Sequence, residues 1–426
     1  MSSEGLSDLD KRTHVLKSDE SCQKYLNFAI REYFMALEKG AKHMYQAMPR
    51  LLTLWFEFTA IPVEKEEEKS TRSSRGAKAV AYGKRADNNK VGYKTDEDEL
   101  LEAAQKQLKD VVQKKSKKLP GYVIYIALPQ LIALSASHPN TETRKLIGDM
   151  LAMVTSEHPH QAMWSLAWLL QSNDEKRRDV AKAALKGATN KLKLNKKMPQ
   201  EHVAKTVLVL KESERLFKHL KQLADLPVKE QKRHVTFKTW ESRSGVKLTD
   251  FLPPIQAALS VNVARIMSAE ERDRSTKGIA GDIFPLYVPR MQKFSSKVDV
   301  MPSKAKPKKL TVYMESADHS RQLGKMHFLI KREEKGDLRK DARVQDLNNV
   351  INRVLTGMVG GEKGSAPSSG NSGAGRRLQV RTFSVTCLSE DTGILEWVPN
   401  TVALRRIIQA TNNPQCPESQ KGKGFR

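Results

Sequence analysis

Apolar residues recur at three- and four-residue spacing over roughly the first half of the chain and switch to alternation near residue 298. The helical part opens with a stripe of Tyr25, Phe28, Ala29, Tyr33, Phe34 and Leu37. A second amphipathic pattern covers Met44 to Phe58, with Met48, Leu51, Leu52, Trp55 and Phe56 on one face. Pro49 belongs to its first turn or marks a kink. From Glu64 to about Asp98 the pattern is polar and aperiodic, which predicts a flexible charged insert. Helices resume at Glu99. Tyr122 to Ser137 reads as an apolar helix stopped by His138-Pro139-Asn140, and Thr141 is placed to cap the next, which runs to about Ser156. Another apolar helix follows at His158 to Leu170, and a long one at about Pro199 to Leu223. Paired helices with short turns predict an α-solenoid, although no strict sequence period is present.

Residues 226–297, punctuated by Pro253-Pro254 and by Pro285 and Pro289, read as a connector. Alternation then predicts strands at Leu310–Met314 and Lys325–Lys331. A helix is expected over 341–355, burying Val344, Leu347, Val350, Ile351, Val354 and Leu355. Residues 360–376 are Gly/Ser-rich and predict a flexible loop. Strands are expected again at Leu378–Leu388 and Gly393–Val398, followed by a disordered tail over 412–426. The expected class is mainly α: an α-solenoid followed by an α+β unit with a twisted antiparallel sheet.

Charge adds an expectation about partners. The formal net charge is +25, which suits nucleic acid, an acidic protein or an anionic membrane surface, and equally a solvated Lys/Arg exterior. Lys114 to Lys118 and Lys191 to Lys197 are two basic stretches in the helical part. Cys22, Cys387 and Cys416 lie far apart, so neither a disulfide framework nor a zinc site is indicated. His138, His158 and His160 lack acidic or thiol partners at ligand spacing and read as turn chemistry. No apolar run reaches membrane-spanning length, and the N-terminus lacks a signal core. A protein outside the membrane and inside the cell is expected.

Candidate chemistry clusters late in the chain. Lys331 ends an apolar strand, where an ammonium can meet a phosphate as a point charge; position alone favours an ordinary strand-end lysine. Asp337 suits a helix N-cap and Asp341 the first helical turn, and either is placed to orient Lys331. Met301 to Lys309 is a basic turn whose amides and Ser303 can cover phosphates. Glu396-Trp397-Val398 follows a strand: an edge backbone there can bond an adenine, and the indole supplies a flat wall or simply fills a core. The order of these pieces is that of the small lobe of a kinase.

Asp337-Leu-Arg-Lys-Asp-Ala-Arg-Val344 and Gly393-Ile-Leu-Glu-Trp-Val-Pro-Asn-Thr401 resemble the kinase domain of the phosphatidylinositol-3-kinase-related protein kinases, nearest their ATR checkpoint branch. Tyr45 to Trp55 and His158 to Trp164 resemble the FAT region of that branch, and Lys306-Pro-Lys-Lys309 resembles the start of its small lobe. The resemblance implies FAT-like helices over 1–63 and 99–225 and a small lobe over 298–411. It implies ATP contacts at Ser303, Lys331, Asp341, Glu396, Trp397 and Val398: phosphate at Lys331, a covering loop at Ser303, an inner acidic residue at Asp341, hinge backbone at Glu396 and Val398, and adenine against Trp397. It further implies Mg2+ with ATP, phosphorylation of Ser/Thr followed by Gln, nuclear DNA-damage and replication-stress signalling, an ATRIP-like partner, only indirect association with DNA, and no membrane.

Two departures bear on these roles. The stretch from Lys331 to Asp337 is about two residues longer than the relatives' spacing, so Lys335 rivals Lys331, and Glu333 or Glu334 shares the pairing. No Asp-Arg-His loop or Asp-Phe-Asp-like metal motif follows Trp397. Phosphoryl transfer needs such residues, so the chain is expected to be a fragment, inactive alone, with no catalytic or metal-binding residue of its own. The competing reading is a non-catalytic helical scaffold that binds protein or nucleic acid through its basic surface.

Overall fold

The computed structural model describes residues 8–63, 95–228, 233–261, 283–285, 287–303, 305–333, 337–359, 378–402, 404 and 407–408. The expected loop at 360–376, the tail at 412–426 and most of the charged insert lie outside these residues, as do Glu334 and Lys335. The described residues form twelve α-helices and one seven-stranded sheet. They divide into two compact units. The first takes residues 1–217, 242–246 and 260–287; the second takes 218–241, 247–259 and 288–426.

The first unit is a stack of helices: α1 (Asp8–Ser18), α2 (Glu20–Lys39), α3 (Met44–Thr59), α4 (Asp96–Ser116), α5 (Gly121–Tyr125), α6 (Leu128–Leu134), α7 (Thr141–Glu157), α8 (Pro159–Leu170), α9 (Glu175–Leu194) and most of α10 (Gln200–Asp225). The expected stripe of α3 is buried throughout. In α2 the buried line is Gln23, Ile30, Phe34 and Leu37, whereas Tyr25 and Phe28 are exposed, contrary to the stripe drawn from spacing. The apolar run after Tyr122 is two short helices, α5 and α6, broken before Pro129 because the ring cannot sit in a helix interior. Pro49 lies in the second turn of α3, and its carbonyl accepts from the Thr53 hydroxyl at 2.9 Å. Asn140, not Thr141, caps α7, accepting from the Thr143 amide at 3.0 Å. His138 is a core residue: its Nε2 lies 3.1 Å from the Phe56 carbonyl and its Nδ1 accepts from the Asn140 amide at 3.2 Å.

The start of α4 is held by a capping box. Thr95 Oγ1 accepts from the Asp98 amide at 3.2 Å, and Asp98 Oδ2 accepts from Thr95 Oγ1 at 2.7 Å. Lys17 of α1 sits 2.9 Å from Asp98 Oδ1, tying the two helices together. The Thr95 hydrogen bonds, then the Lys17 ammonium, lower the Asp98 carboxyl to about 2. A carboxyl depressed on folding contributes stability above its unfolded value and loses it as pH falls through the folded value. Unfolding midpoints should therefore drop between about pH 4 and pH 2, and Asp98→Asn should flatten that part of the profile.

The second unit is built on the sheet. Its strands are β1 (His234–Thr236), β2 (Arg290–Phe294), β3 (Lys297–Val300), β4 (Lys308–Glu315), β5 (Gln322–Arg332), β6 (Val385–Cys387) and β7 (Thr392–Glu396). The order is β1-β3-β4-β5-β7-β6, with β2 also on β4, and every pairing is antiparallel. Residues 226–297, read as a connector, thus supply β1 and β2. The last turns of α10 and the short α11 (Gln256–Leu259) also belong to this unit. Leu310, Val312, Met314, Phe328, Ile330 and Ile394 fill one face of the sheet and are buried. Lys308 points the same way: its ammonium donates to the Ala224 carbonyl at the end of α10, and burial pushes its pKa down.

α12 (Leu338–Val359) corrects the expectation for its apolar face. Val344, Leu347, Val350, Ile351 and Val354 are exposed, and Leu355 is only half-buried. Polar residues make the contact instead. Asn352 exchanges two 2.7 Å hydrogen bonds with the Val380 backbone, and Gln345 accepts from the Phe383 amide at 3.3 Å. These two side chains stand two turns apart on one line of the helix, so that line, and not the apolar one, faces residues 378–383.

Candidate functional site: one face of the sheet in the second unit

β5 runs between β4 and β7. The register pairs Lys309 with Leu329, Thr311 with His327, Leu329 with Leu395 and Lys331 with Gly393. Side chains alternate along a strand. These residues therefore share the face opposite the buried Phe328 and Ile330. That face is basic: Lys309, Lys325 and Lys331 stand on it around His327. Partial burial, then the Lys309 charge, hold the His327 imidazole below its ordinary pKa.

Lys331 is half-buried and its ammonium lies 2.5 Å from Glu333 Oε2. Asp341 is exposed in the first turn of α12 and makes no ion pair among the described residues, so it does not orient Lys331 here. Asp337 caps α12 as expected, accepting from the Arg339 amide at 2.9 Å. Its carboxylate is clamped by the Arg339 guanidinium at 2.8 and 2.9 Å, which lowers its pKa, so it too is turned away from Lys331. The start of α12 nevertheless reaches this face. A Cβ on Gly393, directly across from Lys331, would stand 3.1 Å from both Leu338 Cδ1 and the Thr386 carbonyl. Only glycine lets the helix start seat there without displacing a neighbour. Cys387 lies beneath, and burial pushes its thiol up to about 12, leaving it inert.

Ser303 is exposed in the turn joining β3 to β4, where its carbonyl accepts from the Lys306 amide at 2.9 Å. Lys308 pairs with Ile330, so this turn leaves the sheet at the same end as Lys331. At the other end the Trp397 amide donates to the His327 carbonyl at 3.1 Å. Trp397 is half-buried, and the Lys309 ammonium stands 4.4 Å from the centre of its ring. Four residues of β5, about 13 Å, separate the two ends.

The three hinge residues separate in role. Glu396 pairs with Phe328 and so belongs to the buried row. Its carboxylate accepts from the Gln256 amide at 2.7 Å and the Ser384 amide at 3.0 Å, while its own amide bonds the Ser384 carbonyl. The Val398 carbonyl accepts from the Thr401 hydroxyl at 3.0 Å, and no hydrogen bond among the described residues uses its N–H. Sequence reasoning missed Lys309 as the partner of the indole and Gly393 as the seat of the helix. The period-two row Lys309, Thr311, Tyr313 contained the first signal; nothing local contained the second.

Helical repeats, with an antiparallel sheet unit carrying a basic row and a tryptophan, define the class as a mainly α solenoid protein with an α+β unit. Comparison with known proteins narrows it. The family described as "Serine/threonine-protein kinase ATR-like, HEAT repeats" matches residues 107–206, from α4 into α10. The chain is 30% identical over 388 residues to the serine/threonine-protein kinase ATR of Oryza sativa subsp. indica, covering 90% of this chain and 12% of that protein. It is 27% identical over 384 residues to protein kinase rad3 of Schizosaccharomyces pombe, covering 89% of this chain and 14% of that protein. A structure of the open conformation of CtTel1 matches with a TM-score of 0.54 at 18% identity, over 91% of this chain and 12% of that one; it shows a shared fold. Over about nine-tenths of its length the chain is thus similar to ATR-type kinases, and the expected resemblance to the phosphatidylinositol-3-kinase-related protein kinases is supported. The chain spans about an eighth of the length of the rice relative, 12%.

Proposed function

We propose that the second unit binds the ATP of an ATR-type serine/threonine protein kinase. The triphosphate lies at the Lys331 end under the Ser303 turn, and the adenine lies at the Trp397 end. The observation that supports this most directly is the shared basic face, with a lysine at one end and an indole beside an unused amide, Val398 N–H, at the other. Lys331 supplies a point charge to phosphate, with Glu333 holding the ammonium in place. Of the hinge residues only Val398 retains a donor for a base; Glu396 serves as a strut. Asp341 stands one turn into α12, free to approach Lys331 or the nucleotide once ATP is bound.

Among the described residues no three His, Cys, Asp or Glu side chains converge as metal ligands. Mg2+ is proposed to arrive with the triphosphate, as the resemblance implies. For the longer protein the reading is phosphorylation of Ser/Thr followed by Gln in nuclear DNA-damage signalling, with an ATRIP-like partner. The relatives are named serine/threonine kinases, which supports that reaction class. No described helix is long and apolar enough to cross a membrane.

Titration of the chain with Mg-ATP, followed calorimetrically, tests the reading on binding alone. Lys331→Met and Trp397→Ala should each weaken binding at least about tenfold, the equivalent of about 1.4 kcal/mol. Glu333→Gln should weaken it less. Absence of saturable binding, or binding unaffected by either of the first two changes, would overturn it.

A further inference from the structure

We propose that α9 and the turn after it form a sequence-independent binding surface for double-stranded DNA. Between Val180 and Lys197 the chain has six lysines and no acidic residue. Lys182, Lys186 and Lys193 fall at i, i+4 and i+11, within a narrow angle of one another at 3.6 residues per turn. All three are exposed, as are Lys196 and Lys197 just beyond the helix, and none of the five makes an ion pair among the described residues. Some other lysines of this unit are paired, Lys24 with Glu20, Lys109 with Glu142 and Lys115 with Glu38. The acidic residues of α9, Glu175 and Asp179, are confined to its first five positions, so the stripe from Lys182 onward is purely basic.

The opposite face of α9 makes the stripe rigid. Ala181, Ala184, Ala188 and Leu192 are buried, and α9 lies so close to α7 that a Cβ on Gly187 would stand 2.9 Å from Ala152 Cβ. A small-residue seam of this kind fixes the helix by backbone-to-backbone approach. The lysine stems therefore project from a fixed axis. From Lys182 to Lys193 the stripe is about 16 Å long. One strand of a duplex presents about five phosphates over that length. Thr189 and Asn190, interleaved with the lysines, add neutral donors suited to phosphate oxygens.

The form of the polyanion follows from what stands beside the charges. Single-strand binders stack bases on aromatic side chains, and no Phe, Tyr or Trp occurs between Gln171 and Leu216. Nor is α9 set to insert into a groove and read base edges: it lies along α7 with one face packed, and lysines dominate the face it leaves exposed. Phosphate contact without base readout is the remaining mode. A membrane surface fits less well, because Ala181, Ala184, Ala188 and Leu192 are buried and Leu194 alone is a large exposed apolar residue on α9, too little for insertion.

The test uses the full chain and a fluorescent random-sequence duplex of about two helical turns, followed by anisotropy across salt. Five phosphate contacts predict a slope of log K against log salt near −4.5, from about −0.9 per contact. The triple change Lys182→Glu, Lys186→Glu, Lys193→Glu should lower affinity at least tenfold. The lysine-to-glutamine version, which keeps more of the helix surface unchanged, should reduce the slope by about three contacts, or about 2.7. A control of equal charge change on α4 and the turn after it, Lys106→Glu, Lys114→Glu, Lys118→Glu, should lose less than about threefold. Equal losses in both triples would reduce the effect to net charge and overturn the proposal. So would tighter binding of a single strand, of a poly-glutamate peptide or of phosphatidylserine vesicles than of the duplex. Mg-ATP binding should be unchanged in the α9 variants, so failure of this inference leaves the nucleotide reading intact.

Discussion

Trp164→Ala is expected to cost about 3–5 kcal/mol. Trp164 is 1% exposed, and its ring centroid lies 5.0 Å from that of Phe217. It sits in α8, where Ala162, Met163 and every residue from Leu166 to Leu170 are also buried. No neighbour on such a helix can swing in to fill the space, so most of the cavity persists and the loss falls near the upper part of the range. That is a large share of the roughly 5–15 kcal/mol that holds a domain folded. Trp164→Phe leaves a ring against Phe217 and should cost roughly half as much. Because the chain has two units, a single unfolding curve mixes them. Hydrogen exchange of the α8 amides reads the first unit directly, and unchanged protection in Trp164→Ala would refute the packing argument.

Glu396→Ala is the second large effect, about 2–4 kcal/mol, because it leaves the Gln256 and Ser384 amides without their acceptor. Each stranded donor costs about 1–3 kcal/mol, and both are only part-buried, so the sum lies below the maximum. Glu396→Gln keeps an acceptor oxygen and loses only the strengthening due to charge, so it should be distinctly milder. The measurement is the urea midpoint of the sheet unit, followed by exchange of the β7 amides. The same pair of variants separates strut from hinge. If Glu396 acts on the nucleotide only through backbone, Glu396→Gln should bind Mg-ATP as the parent does. A large loss of nucleotide affinity in a stable Glu396→Gln would assign the carboxylate a direct role.

Periodicity revealed most of the fold. Helices α2, α3, α4, α7, α8 and α10, the β4 and β5 strands and the Asp337 cap stand where spacing and capping chemistry placed them, whereas α1 and α9 were not marked and the run after Tyr122 is two helices, not one. Local signals suffice there because each element's burial is decided by its own repeat. They failed where two faces compete. On α12 the apolar line looked like the buried one, yet Gln345 and Asn352 make the contacts, because residues 378–383 present backbone amides and carbonyls that only polar side chains satisfy. On α2, Tyr25 fits the helical period and is still 75% exposed. Period alone does not say how wide a stripe its neighbours cover.

The candidate site divides in the same way. Lys331, Trp397 and the order of the motifs around them were legible from the chain, and so was the family they resemble. The pairing of Lys331 with Glu333 was among those the sequence offered; two contacts were not, Lys309 over the indole and Leu338 seated on Gly393. Each depends on the register of β5 against its two neighbours, which is set by interactions between strands distant in sequence. The sequence by itself determined which residue types are available and on which side of a strand or helix each one falls, because alternation and the helical repeat are properties of the local backbone. Tertiary structure alone decided which of those sides meet, and therefore that a lysine and a tryptophan far apart in the chain share one face of one sheet.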